Sequence, residues 1–386
     1  MAVPTSPPRG TRPRNRRALI VAAAGDLFVR DGYSRVAMSD IAEAVAIGPS
    51  ALYRHFRGKQ ELLGAVVLDA FTTIREAVDG SADVCGTLAD TVLDHRGLGV
   101  LWQRECRHLD PDEREKLVAP LVGLASWLAG VLRDRRRELT AEESGLLAWT
   151  VLGALMSVSF QRVELPREEY VGLLREVVTA VVDVDLSGAP AAVASAAVVS
   201  ASSGPDSDSR REVLLDAAIR LFAERGFDGV AIEEIGAAAG IAGPSIYHHF
   251  ASKHELLLTA MLDGAEQLNL GLAKALEQPS PDAALRELLG SYVGYSLTHH
   301  AVVEVLVAEV AHAPERHRMR QAQHDYIAAW VRLLRETRPD MGPQEARVRV
   351  QAVLTVVNDV SRTPHLRALP GIDGRLRTLG VTLLAL

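Results

Sequence analysis

The chain has 386 residues and a formal net charge of −7, with 48% hydrophobic, 24% charged and only 5% aromatic residues. That length exceeds one ordinary domain and suits two, each able to bury a core, while the acidic balance argues against a protein that coats nucleic acid without selectivity. Its two cysteines, Cys85 and Cys106, exclude a disulfide framework and a CxxC zinc site and fit a reducing cytoplasm.

In chain order, residues 1–16 form a basic, proline-containing arm with Arg9, Arg12, Arg14 and Arg16, followed directly by Arg17. It leads into no apolar stretch of the kind an export signal needs, and no run of about 18 uncharged apolar residues follows anywhere, so an unexported protein without membrane spans is expected. Such an arm can lie along phosphates or in a minor groove, or stay a solvated tail. Between Arg9 and Lys59 ten Arg and Lys stand against four acids, a local balance of +6 in an otherwise acidic chain.

Residues 17–60 read as three short helices. Leu19, Ala22, Ala23, Leu27 and Phe28 recur at helical spacing, and Gly32 ends that helix where a positive φ is wanted. A second helix is expected from about Ala37 to Val45, then a turn at Ile47–Pro49, then a third helix containing Tyr53, Arg54, His55 and Phe56. Three short helices with a tight turn before the last describe a helix-turn-helix head, whose final helix can enter the major groove of DNA. Residues 61–186 continue as long helical segments, with a capping box at Thr140 and Glu143 and Pro166 placed for a helix start. Residues 187–209 are Ala, Ser, Val, Gly and Pro with almost no large side chains, and read as a linker.

The same pattern then recurs. A shift of 194 residues lays Arg17–Val66 on Arg211–Ala260 without a gap, and 18 of 50 positions are identical. Residues 210–254 are therefore a second head and 255–386 a second helical domain, giving an all-α chain of two tandem units. Over Arg210–Lys253 five basic residues face six acids, so the second head lacks the positive balance of the first.

The sequence resembles the TetR family of bacterial regulators. The resemblance rests on Ala-Ala, Leu-Phe, Gly-Tyr, Ile-Ala, Ile, Leu-Tyr-x-His-Phe and Lys-x-Glu-Leu-Leu at fixed offsets from Ala23 to Leu63, and again, with Phe227 and Gly236 as variants, from Ala217 to Leu257. It implies a sequence-specific DNA-binding transcription regulator, a repressor released by a small-molecule effector, with double-stranded operator DNA as partner and no cofactor or metal. It also implies roles. Gly48, Pro49, Ser50 and Ala51 would face base edges with Arg54 and His55 behind, as would Gly243, Pro244 and Ser245 with His248 and His249. Ser39, Tyr53, Lys59, Tyr247 and Lys253 would meet phosphates, flanked by Arg16, Arg17, Arg210 and Arg211. Phe56, Phe250 and the two tyrosines could instead pack the head's core.

The family's usual hydroxyl cap of the second helix is replaced by Ala37 and Ala231, ahead of Asp40 and Glu234, so half a capping box is missing in both copies. Family members pair through their last two long helices. Ala141–Ser159 aligns on Pro343–Ser361 at a shift of 202, so the two copies could pair within one chain as a pseudo-dimer, or each with another chain. Paired heads should stand about 34–36 Å apart, one turn of DNA. An effector pocket is expected behind each head, with Trp102, Arg104, Trp127 and Phe160 as candidates in the first copy and Tyr292, Tyr295, His299 and Trp330 in the second. The alternative function is a ligand-sensing or protein-interaction module whose second head no longer binds DNA. No G-x-S-x-G elbow, P-loop or G-x-G-x-x-G occurs, and no two histidines have the i, i+4 spacing of a helical metal pair, so neither catalysis nor metal binding is expected.

Overall fold

The computed structural model describes residues 16–187, 207–241, 243–308 and 316–386. The arm with Arg9, Arg12 and Arg14, and most of the expected linker, lie outside the described residues. No strand occurs among the described ones.

Each head is built the way its sequence spacing requires. Helix α1 (Arg16–Asp31) buries Ile20, Val21, Ala24, Leu27 and Phe28 on one face, and Gly32, at φ 84°, stops it with its N–H on the Phe28 carbonyl at 3.0 Å. Helix α2 (Met38–Ala44) has no side-chain cap at Ala37, while the Asp40 carboxylate accepts the Ala37 N–H at 2.8 Å. Half of the capping box is present, as expected. The turn after α2 passes through Ala46 at φ 54°, and the Ile47 N–H reaches back to the Ala42 carbonyl at 2.9 Å. Helices α3 (Pro49–Leu52) and α4 (Lys59–Val78) complete the head, with Leu52, Phe56, Leu62 and Leu63 buried.

Behind this head stand α5 (Val84–Asp94), α6 (Leu98–Val100) running into a π turn at Leu101–Glu105, α7 (Pro111–Arg135), α8 (Ala141–Met156) and α9 (Arg167–Asp183). The Thr140 capping box is complete, with Thr140 N–H on the Glu143 carboxylate at 2.9 Å and Glu143 N–H on Thr140 Oγ1 at 3.2 Å.

The second head repeats the plan in α10 (Ser207–Arg225), α11 (Ile232–Ala238), α12 (Gly243–Ile246) and α13 (Lys253–Leu276). Helix α10 begins inside the segment read from the sequence as linker. Gly226 (φ 71°) and Gly240 (φ 68°) take the places of Gly32 and Ala46. Its core of Leu214, Ala217, Phe222, Ile235, Ile246, Phe250 and Leu257 is joined by Val305 and Met319 from α15 (His300–Ala308) and α16 (Arg316–Thr337). Helices α14 (Pro281–Thr298), α17 (Pro343–Arg362), α18 (Pro364–Arg367) and α19 (Ile372–Leu383) complete the copy.

Two compact units emerge, and their border is not the repeat border. Among the described residues, one holds those up to Ala148, with Val158–Phe160 and Glu168–Arg175; the other holds Trp149–Ser157, Gln161–Arg167 and those from Glu176 on. Within the second unit the middle of α8 and the end of α9 meet the second copy's last helices. The Trp149 ring stands edge-on to His365 at 6.0 Å, and a Cβ added to Gly153 would lie 3.3 Å from Val356. Arg349, 1% exposed, pairs with Glu345 at 2.8 Å and with Glu176. A buried guanidinium held by two carboxylates has its charge compensated, which burial demands. Helix α17 hides residues on every side, the signature of a helix enclosed by others.

Helices Pro111–Arg135 and Ala141–Phe160 are long and apolar enough to cross a membrane, contrary to the expectation from sequence; 72% of the latter's apolar window is buried in protein, as in a core helix.

Candidate nucleic-acid interface and ligand cavity

In the first head Gly48, Pro49, Ser50, Arg54 and His55 are exposed, Ala51 is half-buried, and Tyr53 is 54% exposed, so Tyr53 takes no core role. Helix α3 is shorter than its sequence suggests. It ends at Leu52, and Tyr53–His55 continue as a turn in which the Phe56 N–H returns to the Leu52 carbonyl at 3.1 Å. Leu52 and Phe56 are the inward anchors, at 0% and 1% exposure, which turns the residues between them outward.

Ser39, Tyr53 and Lys59 border one surface hollow, together with Ala37 and Pro49. Lys59 is nevertheless turned inward. Its ammonium donates to the Tyr33 carbonyl at 2.7 Å and the Val36 carbonyl at 3.0 Å and lies 4.2 Å over the Tyr33 ring. Burial pushes its pKa down, opposed by Glu105, whose carboxylate accepts the Tyr33 N–H at 2.7 Å. The lysine read from the sequence as a phosphate contact is thus a latch tying the start of α4 to the loop before α2. Arg17 lies over the Phe56 ring at 4.9 Å.

The second head keeps the latch and changes the face. Lys253 donates to the Phe227 and Val230 carbonyls at 2.7 and 2.8 Å and sits 4.2 Å over the Phe227 ring. Arg211 covers the Phe250 ring at 4.2 Å and donates to the His249 carbonyl at 3.0 Å, so it too is bound inward. Arg210, Ser245, His248 and Tyr247 are exposed, the tyrosine by 52%, and His249 is half-buried. Where the first copy has Ser39, however, the second has Glu233, and the Tyr247 hydroxyl donates to its carboxylate at 3.4 Å. Beside it Glu234 pairs with Arg225 at 2.8 Å, and the Ala231 N–H and Arg225 lower its pKa and keep it ionised.

Behind the second head a cavity of about 120 Å³ lies among α13 to α17. Its polar wall is Asn269, Tyr292, Gln323, Tyr326, Gln351 and Asn358, and the remainder is aliphatic. The Tyr292 hydroxyl donates to Asn358 Oδ1 at 2.8 Å, and burial raises the pKa of both tyrosines, keeping them neutral. Of the eight side chains expected from sequence to line a pocket, Tyr292 alone borders this one. Trp330 is a core residue, 0% exposed, edge-on to Tyr292 at 5.9 Å. Tyr295 stacks on His299 at 4.6 Å, with its pKa pushed up to about 12 by burial. In the first copy Trp102 packs edge-on against Phe71 at 5.7 Å, Arg104 lies 5.3 Å over Phe160, and Arg75 lies 4.5 Å over Trp127. The amides Asn269, Gln351 and Asn358 went unnoticed in the sequence. Their signal is a polar residue on the inner face of an apolar helix, with Gln351 and Asn358 seven apart on α17.

The family model for "Bacterial regulatory proteins, tetR family" matches residues 20–66 and 214–260. The transcriptional repressor NicS of Pseudomonas putida is 33% identical over 106 residues, 27% of this chain and 50% of that protein. The transcriptional activator FasR of Mycolicibacterium smegmatis is 29% identical over 180 residues, 46% of this chain and 69% of that protein. The transcriptional repressor KstR2 of Mycobacterium tuberculosis is 48% identical over 59 residues, 14% of this chain and 30% of that protein. Its solved structure, described as a ketosteroid transcriptional regulator, gives a TM-score of 0.38 at 25% identity, covering 46% of this chain and 95% of that one. The chain thus spans half the length of NicS, and these named relatives are regulators rather than enzymes. At both of its helix-turn-helix heads, then, the chain carries the DNA-binding domain of the TetR family, twice in tandem.

Proposed function

We propose that this chain is a cytoplasmic transcription regulator that reads operator DNA through its first head and answers to a small molecule. The observation that carries this is the first head's outer face. Gly48, Pro49, Ser50, Tyr53, Arg54 and His55 all point to solvent, beside the hollow bordered by Ser39 and Tyr53 and a locally positive chain. Exposed side chains on and just after a short helix suit base edges, while hydroxyls at the rim suit phosphates. Lys59 holds this face in shape rather than forming most of it. Repression is the preferred sense, since NicS and KstR2 are repressors by name, and FasR, an activator, supplies the other outcome.

A second reading applies to the second head, and Glu233 favours it: a carboxylate occupied by Tyr247 stands where a phosphate would approach, so this head contributes little DNA affinity. The contacts of Trp149 with His365, Gly153 with Val356 and Arg349 with Glu176 favour pairing of the two copies within one chain.

The test selects genomic fragments with the purified protein and measures affinity by fluorescence anisotropy at stated salt. Arg54→Ala and Tyr53→Ala should weaken binding to the selected fragment at least tenfold, and Tyr247→Ala should leave it within twofold. No selective fragment, or equal losses from both heads, would overturn the respective reading. Light scattering of the complex should count one chain per site; two would sink the pairing within a chain.

A further inference from the structure

We infer that each chain binds one effector molecule, uncharged and largely apolar, in its second copy alone, because the first copy carries the larger, buried Phe71 where the cavity wall of the second has Ala265. This rests on the proposed regulation for the word effector only; the binding is measurable without DNA.

The repeat registers locate the difference. At the 194-residue offset the cavity residues Ala265 and Asn269 correspond to Phe71 and Arg75, and at the 202-residue offset Gln351 and Asn358 correspond to Trp149 and Met156. All four second-copy residues are smaller or more polar than their partners. Phe71, 2% exposed, carries a phenyl ring where Ala265 has only a methyl group, and Trp102 stands edge-on to that ring. Arg75 turns away onto Trp127.

The wall also states the ligand's chemistry. No Asp, Glu, Lys, Arg or His is among the described residues lining the cavity, and a charge placed there would be stripped of water with no counter-charge. Mostly aliphatic walls with a few convergent amides and hydroxyls suit an apolar molecule carrying one or two neutral hydrogen-bonding groups. Tyr292, by donating to Asn358 Oδ1, fixes the orientation of that amide before any ligand arrives.

The probes are 2-naphthol and 1-octanol, with their charged counterparts 2-naphthoate and octanoate, titrated into the full chain by calorimetry and counted by native mass spectrometry. One neutral molecule per chain is expected, with the matched carboxylate at least tenfold weaker. Ala265→Phe, which copies the first repeat, should weaken the neutral probe at least tenfold, whereas Trp102→Phe should leave affinity and count unchanged. Circular dichroism checks each variant, and if Ala265→Phe does not fold, Asn358→Met serves in its place with the same expected loss. Two molecules per chain, preference for the carboxylates, or no saturable binding of either neutral probe overturns the inference. Binding as expected without any change in operator affinity would instead overturn the regulatory reading and leave this one standing.

Discussion

Ala46 holds φ 54° in the tight turn before the recognition helix, where Gly240 at φ 68° does the same work in the other copy. A Cβ in this left-handed region costs roughly 1–2 kcal/mol, partly offset by the unfolded-state entropy that alanine saves. Ala46→Gly should therefore stabilise the first head by about 1 kcal/mol, visible as a later urea midpoint at unchanged slope. Burial acts on a second residue. The pKa of His95 lies below its ordinary 6.5, because desolvation outweighs the attraction of Asp69 and Asp94. The unfolded chain then takes up a proton that the folded one resists, so this contribution to stability falls as pH drops through 6.5 towards the lower folded value and levels off beneath it. His95→Gln should flatten that part of the stability profile; an unchanged slope would assign the pH dependence elsewhere.

Helices α2 and α11 carry the clearest functional contrast between the copies. Ser39→Glu, which copies Glu233, should lower operator affinity about tenfold and make it less dependent on salt, since one phosphate approach is lost. The reverse change, Glu233→Ser, should raise affinity only if the second head touches DNA. Packing between elements also differs. A Cβ on Gly236 would run into Cδ1 of Ile246, whereas the first copy has Ala42 and Leu52, both buried, at the corresponding positions. Gly236→Ala should cost about 1–3 kcal/mol, and Ile246→Leu should restore most of it in a double-mutant cycle. The order of the head helices and their stop at Gly32 and Gly226 were legible in the sequence, because glycine and apolar spacing act locally. The inward turn of Lys59 was not: its acceptors, the Tyr33 and Val36 carbonyls, carry no side-chain signature. The cavity was hidden for a related reason, since aromatic residues drew attention while the amides and the small Ala265 that shape it are inconspicuous one at a time.

At the scale of the whole molecule, the repeats are alike where the head must fold and unlike where it must meet something. Both latches, both inward phenylalanines and both helix stops are kept. In the roles proposed above, Ser39 against Glu233, and Phe71 against Ala265, part the copies into one suited to DNA and one suited to a ligand. A single chain permits this, because the two sites can change separately, as identical subunits of a homodimer cannot. The packing pair between α11 and α12 has a consequence for heredity. Two similar coding segments in one gene are substrates for unequal recombination, which splices the front of one repeat onto the back of the other. A crossover between the codons for residues 236 and 246 and their counterparts would unite Gly236 with leucine, leaving a hole, or Ala42 with isoleucine, forcing a clash. Either hybrid would carry an impaired head, so this short stretch of the gene acts as a barrier against the repeats collapsing back into one.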